Sequence, residues 1–281
     1  MPLQECPLKT LAPYIERWNL TAEGEPIVRR SSWLLRVRHR GQAAMLRVST
    51  PQEERSGTAL MQWWDGNGAA RVFQHDDHAL LMELAEGTRC LASMARNGED
   101  DAACRIICSV AQQLHSPRPT PPPLDLEPLD VRFHALWPAS DRYGGVMRRC
   151  ADAARFLLDH PQEPIPLHGD LHHGNVLDFG SRGWLAIDAV GVLGERGFDY
   201  ANIFANPDLD DASLPVATLP AHFTQRLSIV THVAQIEPKR MLQWIIAWSG
   251  LSAAWFLEDH EQQSADIDLT VARLAIAALE G

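Results

Sequence analysis

Lysine is almost missing from this chain: Lys9 and Lys239 are its only two, so its other basic side chains are all arginines. No GxxxxGK[ST] stretch occurs, which excludes a Walker-type nucleoside triphosphatase. No apolar run approaches the roughly 18 residues needed to cross a bilayer. The opening MPLQECPLKT lacks the basic-then-apolar order of a secretion signal. A soluble cytoplasmic protein with no membrane partner is the expectation. The five cysteines, Cys6, Cys90, Cys104, Cys108 and Cys150, form no CxxC pair. Their odd number points to reduced, mostly buried thiols. Cys104 and Cys108 lie one helical turn apart and could share a metal, but no Cys/His pair follows at finger spacing. Positive charge is also short, with 25 Lys and Arg against 36 Asp and Glu and a net charge of −11. Such a surface repels nucleic-acid phosphates and attracts small cations.

What is present reads as an ordinary globular chain. It has 281 residues, 46% hydrophobic and 22% charged, enough for one large domain or two lobes. Apolar spacing predicts a first helix from Leu8 to Trp18. Residues 32–38 and 43–48 read as strands around the turn His39-Arg40-Gly41-Gln42. Pro51 opens a helix to about Trp64, and residues 71–74 and 79–83 give two more strands. This is a small sheet of about four strands with one inserted helix. After Gly87 the pattern turns helical, over residues 88–97, 100–114, 130–137 and 141–159. The proline-rich stretch 116–123 is a stiff connector, and short strands fall at 165–167, 176–179 and 184–187. The last 70 or so residues are again helical. A sheet-rich lobe over 1–85 therefore precedes a larger helical lobe over 86–281.

One segment carries chemistry. Residues 167–177 read LHGDLHHGNVL, and Asp188 follows at the end of a strand. Phosphoryl transfer to a hydroxyl needs such a set: a carboxylate for the hydroxyl proton, and an amide oxygen and second carboxylate for the bridging cations. Hard cations take oxygen ligands, which Asn175 and Asp188 supply. Two other readings of the same residues remain open, a plain turn and a metal-hydrolase cluster of His168, His172 and His173.

The run His168-Gly169-Asp170-Leu171-His172-His173-Gly174-Asn175, followed by Ile187-Asp188, resembles the motif of the aminoglycoside phosphotransferase and choline kinase-like family. Residues 181–188, 190–195 and 251–255 narrow the resemblance to the streptomycin 6-kinase and hydroxyurea resistance kinase group, over about residues 20 to 275. The resemblance implies an α+β, bilobal protein kinase-like fold with ATP and Mg²⁺ between the lobes. It makes Asp170 the catalytic base, His168 the structural histidine of the loop, and Asn175 and Asp188 the Mg²⁺ ligands. It places Met82, Glu83 and Ala85 at the interlobe hinge, where main-chain groups meet the adenine. Glu54 would pair with a phosphate-binding lysine, although a first-turn acid favoured by the helix dipole reads equally well. That lysine is absent. Arg47 stands on its strand, keeping the charge with a longer, planar head, or is simply an exposed strand residue. The turn Arg29-Arg30-Ser31-Ser32 has no glycine, so Ser31 and Ser32 are left as phosphate donors.

An acceptor site in the helical lobe has acids and aromatics to draw on: Glu195, Asp199, Trp248, Trp255, Glu258 and Asp259. Carboxylates bind hydroxyls, amines and guanidines, and tryptophan stacks on cations and sugar faces. Trp248 and Trp255 equally fit a helix core, and Asp199 a helix cap or an anchor for the catalytic loop. Residues 208–211 read as a solvated acidic turn. The expected reaction is transfer of the γ-phosphoryl of ATP to a hydroxyl of a cationic or sugar-like small molecule of the aminoglycoside kind. The alternatives are a metabolite kinase of the same fold, or a non-catalytic nucleotide binder that lost turnover with the lysine.

Overall fold

Arg40 and Gly41 both adopt positive φ, 52° and 83°, the geometry of a tight two-residue hairpin whose twist matches its strands. The hairpin sits at the centre of the first sheet in the computed structural model, which describes residues 7–29, 32–49 and 55–281. Ser31, Glu54 and the expected helix start at Pro51 lie outside the described residues. Helix α1 (Pro7–Arg17) leads into β1 (Thr21–Val28), β2 (Ser32–His39) and β3 (Gln42–Ser49). Helix α2 (Arg55–Trp64), β4 (Val72–His75) and β5 (Ala79–Glu83) follow. The strands pair antiparallel in the order β1-β2-β3-β5-β4.

Alternation along β2 and β3 decides which side chains face which way. Trp33, Leu35, Val37, Ala44, Leu46 and Val48 are buried with Leu11 of α1 in a small core. Arg47 falls on the opposite face, its register partner being Leu80 of β5. β1 is an addition to the four strands expected. It is an edge strand, mostly exposed, carries Gly24 and Pro26, and shifts register between Glu23 and Ile27. An edge strand with no buried face shows no alternation to read.

The larger lobe contains α3 (Leu91–Met94), α4 (Asp100–His115), β6 (Glu127–Pro128), α5 (Leu129–Arg132), α6 (Leu136–Tyr143) and α7 (Gly145–Asp159). Next come β7 (Ile165–Leu167), β8 (Val176–Asp178), β9 (Trp184–Ala186), β10 (Val192–Gly194) and α8 (Gly197–Ala201). It ends in α9 (Pro220–Ala234), α10 (Pro238–Glu258) and α11 (Gln262–Glu280). The helix expected over 88–97 is instead the single turn of α3, which widens through residues 95–99, where Gly98 sits at φ 90°. α10 is apolar around most of its circumference and packs against α7, α8 and α11 as the central helix. Among the described residues no helix is long and apolar enough to cross a membrane.

Leu60, Met61 and Trp64 of α2 join the large lobe's core rather than the sheet's own. The contact is backbone to backbone. A Cβ on Gly57 would lie 1.8 Å from the Ala189 carbonyl oxygen, and one on Gly191 would lie 2.6 Å from the Ser56 carbonyl carbon. Two glycines thus let α2 press directly on the loop that carries Asp188.

Candidate active site

Residues 168–175 cross from β7 to β8, and a buried carboxylate fixes their path. Asp199 of α8 accepts hydrogen bonds from the backbone N–H of His168 (2.9 Å) and Gly169 (2.8 Å), and its Oδ2 meets His115 Nε2 at 2.9 Å. Burial opposes its charge, but the His115 hydrogen bond and the neighbouring imidazoles hold its pKa below the usual carboxylate range. His168 is fully buried beside the Trp64 ring. Its Nδ1 accepts the Asp170 N–H at 3.2 Å, so Nε2 carries the proton and donates to the Ile187 carbonyl at 2.8 Å. Burial lowers its pKa and keeps the ring neutral. It is a strut rather than an acid or base.

Asp170 is then presented with both oxygens held. Asn175 Nδ2 donates to Oδ2 at 2.9 Å and to the Asp170 carbonyl at 2.8 Å, and Asn202 Nδ2 donates to Oδ1 at 2.9 Å. The side chain is 46% exposed, open to an incoming hydroxyl. Loss of water opposes its charge, but His172, 3.6 Å from Oδ2, together with His168 and the Asn202 amide, drives its pKa well below the usual range. His172 moves the other way: burial opposes its charge, yet Asp170, Asp210 and Asp188 raise its pKa.

Asp188 ends the β8–β9 hairpin in a left-handed conformation, φ 56°, which a non-glycine residue adopts only where surrounding contacts impose it. Those contacts are Ile187 N–H to the Asn175 carbonyl (2.9 Å) and Val190 N–H to the His168 carbonyl (2.8 Å). They bring Asp188 beside Asn175. Arg47 reaches across from β3 and donates from Nη1 to Asp188 Oδ1 at 2.8 Å. Strand, catalytic loop and hairpin therefore converge on one cluster.

The donor set fits a hard cation bridged to phosphates. The Asn175 amide nitrogen is committed to Asp170, which leaves its Oδ1 free as a ligand. Asp188 keeps Oδ2 beyond the Arg47 contact. Mg²⁺ typically takes one or two protein oxygens and completes its shell from phosphates and water. The metal-hydrolase reading of the histidines fails. His168 is bonded at both ring nitrogens, and His173 is buried with neither nitrogen partnered and its pKa pushed down by burial. Among the described residues no group of three or more His, Cys, Asp or Glu is placed to hold a metal, which also removes the Cys104–Cys108 reading.

At the hinge, Met82 is buried while Glu83 and Ala85 are half-buried. The Glu83 side chain accepts from the Arg71 N–H at 2.7 Å and pairs with Arg182, and its own N–H donates to the Arg71 carbonyl at 2.9 Å, so these groups are taken up within the protein. Ser32 opens β2 opposite Ser49 and is buried, and by alternation it shares the Arg47 face of the sheet.

Three expected acceptor residues are placed elsewhere. Glu195 is buried and saturated: it accepts from Arg240 Nε (2.7 Å) and Nη2 (2.5 Å), Trp244 Nε1 (2.7 Å) and the Gln162 N–H (3.2 Å). Trp248 belongs to the core of α10. Asp199 serves the loop backbone. Trp255 is half-buried with the Arg132 guanidinium 4.9 Å from its ring centre. Arg132 holds Glu127, whose N–H donates to Gly191 of the Asp188 loop. Glu258 and Asp259 are exposed at the end of α10.

Two site residues were not anticipated. Asn202 is the second donor to Asp170. Asp210 is exposed, and its Oδ2 would lie 3.7 Å from a Cβ on Gly174, so it borders the catalytic loop. The supposed solvated turn 208–211 is instead built on Asp208, which is buried and accepts from the N–H groups of Val216, Ala217 and Thr218. An Asn-x-x-x-Asn spacing followed by an acidic run was the only trace of this in the sequence.

A model of the aminoglycoside/hydroxyurea antibiotic resistance kinase family matches residues 17–260. A streptomycin 3''-kinase of Klebsiella pneumoniae is 52% identical over 268 residues, covering 95% of this chain and all of that one. A streptomycin 6-kinase of Streptomyces glaucescens is 30% identical, covering 94% and 86%. Among solved structures, aminoglycoside phosphotransferase APH(4)-Ia superposes with a TM-score of 0.66 at 14% identity, covering 97% and 99%. Choline kinase LicA of Streptococcus pneumoniae gives 0.65 at 14%, covering 97% and 98%. At those identities the likeness establishes the fold, a bilobal protein kinase-like α+β architecture.

Proposed function

The chain belongs to the aminoglycoside/hydroxyurea antibiotic resistance kinase family, and on that premise we propose that it transfers the γ-phosphoryl of ATP to the 3'' hydroxyl of a streptomycin-like aminoglycoside. It is an ATP-dependent phosphotransferase with a hydroxyl acceptor, as its relatives are. The observation that carries the reading is the convergence of Asp170, Asn175 and Asp188, with Arg47 bonded to Asp188 from the smaller lobe.

Phosphoryl transfer passes through a loose transition state, so the protein's work is chiefly positioning and charge balance. Asp170 stays ionised at neutral pH, accepts the acceptor's O–H and takes its proton as the new phosphorus–oxygen bond forms and the bond from the γ-phosphorus to the bridging oxygen breaks, releasing ADP. Its low pKa makes it an orienting base rather than a strong one. Mg²⁺, held by Asn175 and Asp188, would neutralise the phosphates. Arg47 supplies the cation that lysine gives elsewhere, and the main chain of Glu83 and Ala85 would meet the adenine. The intact base and ligand set favours turnover over mere nucleotide binding.

Asp170 and Asp210 both lie near His172, and this pair of carboxylates suits an acceptor carrying guanidinium or amine groups. Trp255, Glu258 and Asp259 are the remaining candidates for its far end. The choice of the 3'' position over the 6 position rests on 52% against 30% identity to the two kinds of streptomycin kinase. Incubation with ATP and streptomycin, followed by phosphorus and proton NMR of the product, tests it. Phosphate on the 3'' oxygen is expected. Phosphate on the 6 oxygen would overturn the regiochemistry, and no transfer would overturn the acceptor. Asp170→Asn keeps a hydrogen-bonding shape but cannot take a proton, so it should abolish transfer while ATP still binds.

A further inference from the structure

Asn202, the second donor to Asp170, and Asn206 lie one helical turn apart and are 1% and 2% exposed. Their amide orientations are fixed by logic rather than choice. Asn206 Nδ2 lies 3.2 Å from the Asn202 main-chain carbonyl and 3.0 Å from the Asn202 side-chain oxygen. A carbonyl only accepts, so the Asn206 atom facing it is the nitrogen. The Asn202 atom facing that nitrogen must then be oxygen, and the Asn202 nitrogen is turned onto Asp170 Oδ1.

Asn206 is itself anchored. Its main-chain carbonyl accepts from Arg226 Nη1 at 2.6 Å, and the Ile203 carbonyl accepts from the same nitrogen at 2.8 Å. Arg226 is fully buried, and its Nε and Nη2 grip both oxygens of Asp100 at the start of α4, at 2.6 to 3.2 Å. His222 meets the same carboxylate at 3.0 Å. A buried polar string therefore runs Asp100–Arg226–Asn206–Asn202–Asp170, with every link a hydrogen bond. A buried ion pair is weak evidence for stability, and its best-attested use is to fix one arrangement among several.

We propose that Asn202 is a positioning residue for the acceptor-orienting carboxylate, and that Asn206, pinned by the Asp100–Arg226 pair, keeps its amide donor turned toward Asp170. The inference rests on the phosphotransfer reading for its kinetic consequence, but not for the contact itself.

The experiment has two arms. In the kinetic arm, Asn202→Ala should lower kcat about ten- to hundredfold, the range for a hydrogen bond to a charged group, with KM for ATP little changed. Asn202→Asp, the isosteric change, should be worse than Ala because it sets an acceptor against Asp170. A residue acting only as a spacer would show the reverse order. Asn206→Ala should give a smaller fall in kcat, since the amide is then free to flip, and stands in if either Asn202 variant fails to fold. Unchanged kcat in folded Asn202→Ala, or Asp milder than Ala, would overturn the proposal.

The second arm needs no acceptor. The Asn202 side-chain NH₂ signal in ¹⁵N-labelled protein should move in Asp170→Ala and keep its position in Asp268→Asn. No movement in Asp170→Ala would overturn the contact. Movement in a protein that phosphorylates none of the aminoglycosides would leave the contact standing and sink the acceptor reading instead.

Discussion

Asp199 and Asp268 are both fully shut off from water, one beneath the catalytic loop and one between α10 and α11. Asp199 meets two backbone N–H groups and the His115 ring. Neither oxygen of Asp268 makes a hydrogen bond of ordinary geometry. Burial disfavours charge on both, yet their pKa values move apart. The donors bring Asp199 below the usual range, whereas burial raises Asp268 well above it and the Ser252 hydroxyl offsets this only in part. The difference lies in the donors supplied, since the burial is the same. At the loop the protein surrounds a charge with donors and uses it to fix backbone. Between the helices it keeps a neutral acid as packing.

Removing Asp199 should have the largest effect. Asp199→Ala leaves the His168 and Gly169 N–H groups and the His115 ring facing a void, and breaking such a set costs on the order of 3–5 kcal/mol. Urea unfolding at neutral pH should show that loss, and kcat should fall because Asp170 follows the loop. The pH dependence has a definite sign. A carboxylate whose pKa is lower in the folded state adds stability above its unfolded pKa of about 4, and that stability disappears as pH falls through the folded value. The variant should therefore approach the parent in acid. A gap that stayed constant into acid would mean that Asp199 acts through its shape alone.

Arg47 and Asp188 form the intermediate case, a half-open carboxylate paired with one cation, with 16% and 32% of the side chains exposed. Arg47→Ala should weaken ATP binding by about 1.5–3 kcal/mol, or ~10–150-fold. AMP, which lacks the outer phosphates, should lose less. Arg47→Lys should keep activity, because lysine also grips phosphate as a point charge. Calorimetry that found unaltered ATP affinity in Arg47→Ala would reduce the pair to a lobe-to-lobe tether.

How much of this was legible depended on how far apart in the chain the partners lie. The catalytic loop could be read because His168, Asp170, Asn175 and Asp188 fall within one short stretch and bring their strands with them. Arg47 could be read only through the resemblance, which expects a phosphate-binding cation on its strand; by itself it looks like an exposed strand residue. Glu195 could not, because its partner Arg240 comes from a helix 45 residues downstream, and an unpaired acid beside the motif looks like a ligand. Asn202 and Asp210 were hidden for a different reason. Asn and Asp in a run of turns read as turn formers, and only the folded path of 202–211 under Arg226 and Arg96 brings them to Asp170 and His172. β1 escaped because an exposed edge leaves no periodic trace.

Asp268 carries the smallest expected effect and the one of opposite sign. Its folded pKa is raised, so the folded state holds a proton that the unfolded chain releases above pH about 4. The stability this group contributes is therefore complete below that pH and is lost as pH rises toward the folded value. Asp268→Asn keeps the size and polarity and removes the proton. Its advantage over the parent should be near zero at pH 4 and grow steadily as pH rises toward 8, since the amide never has to choose between a buried charge and a held proton. Chemical denaturation of both proteins across that range measures the difference directly. If the two profiles ran parallel, Asp268 would be exchanging its proton as freely as a surface acid, and the contrast with Asp199 would lie in packing rather than in charge.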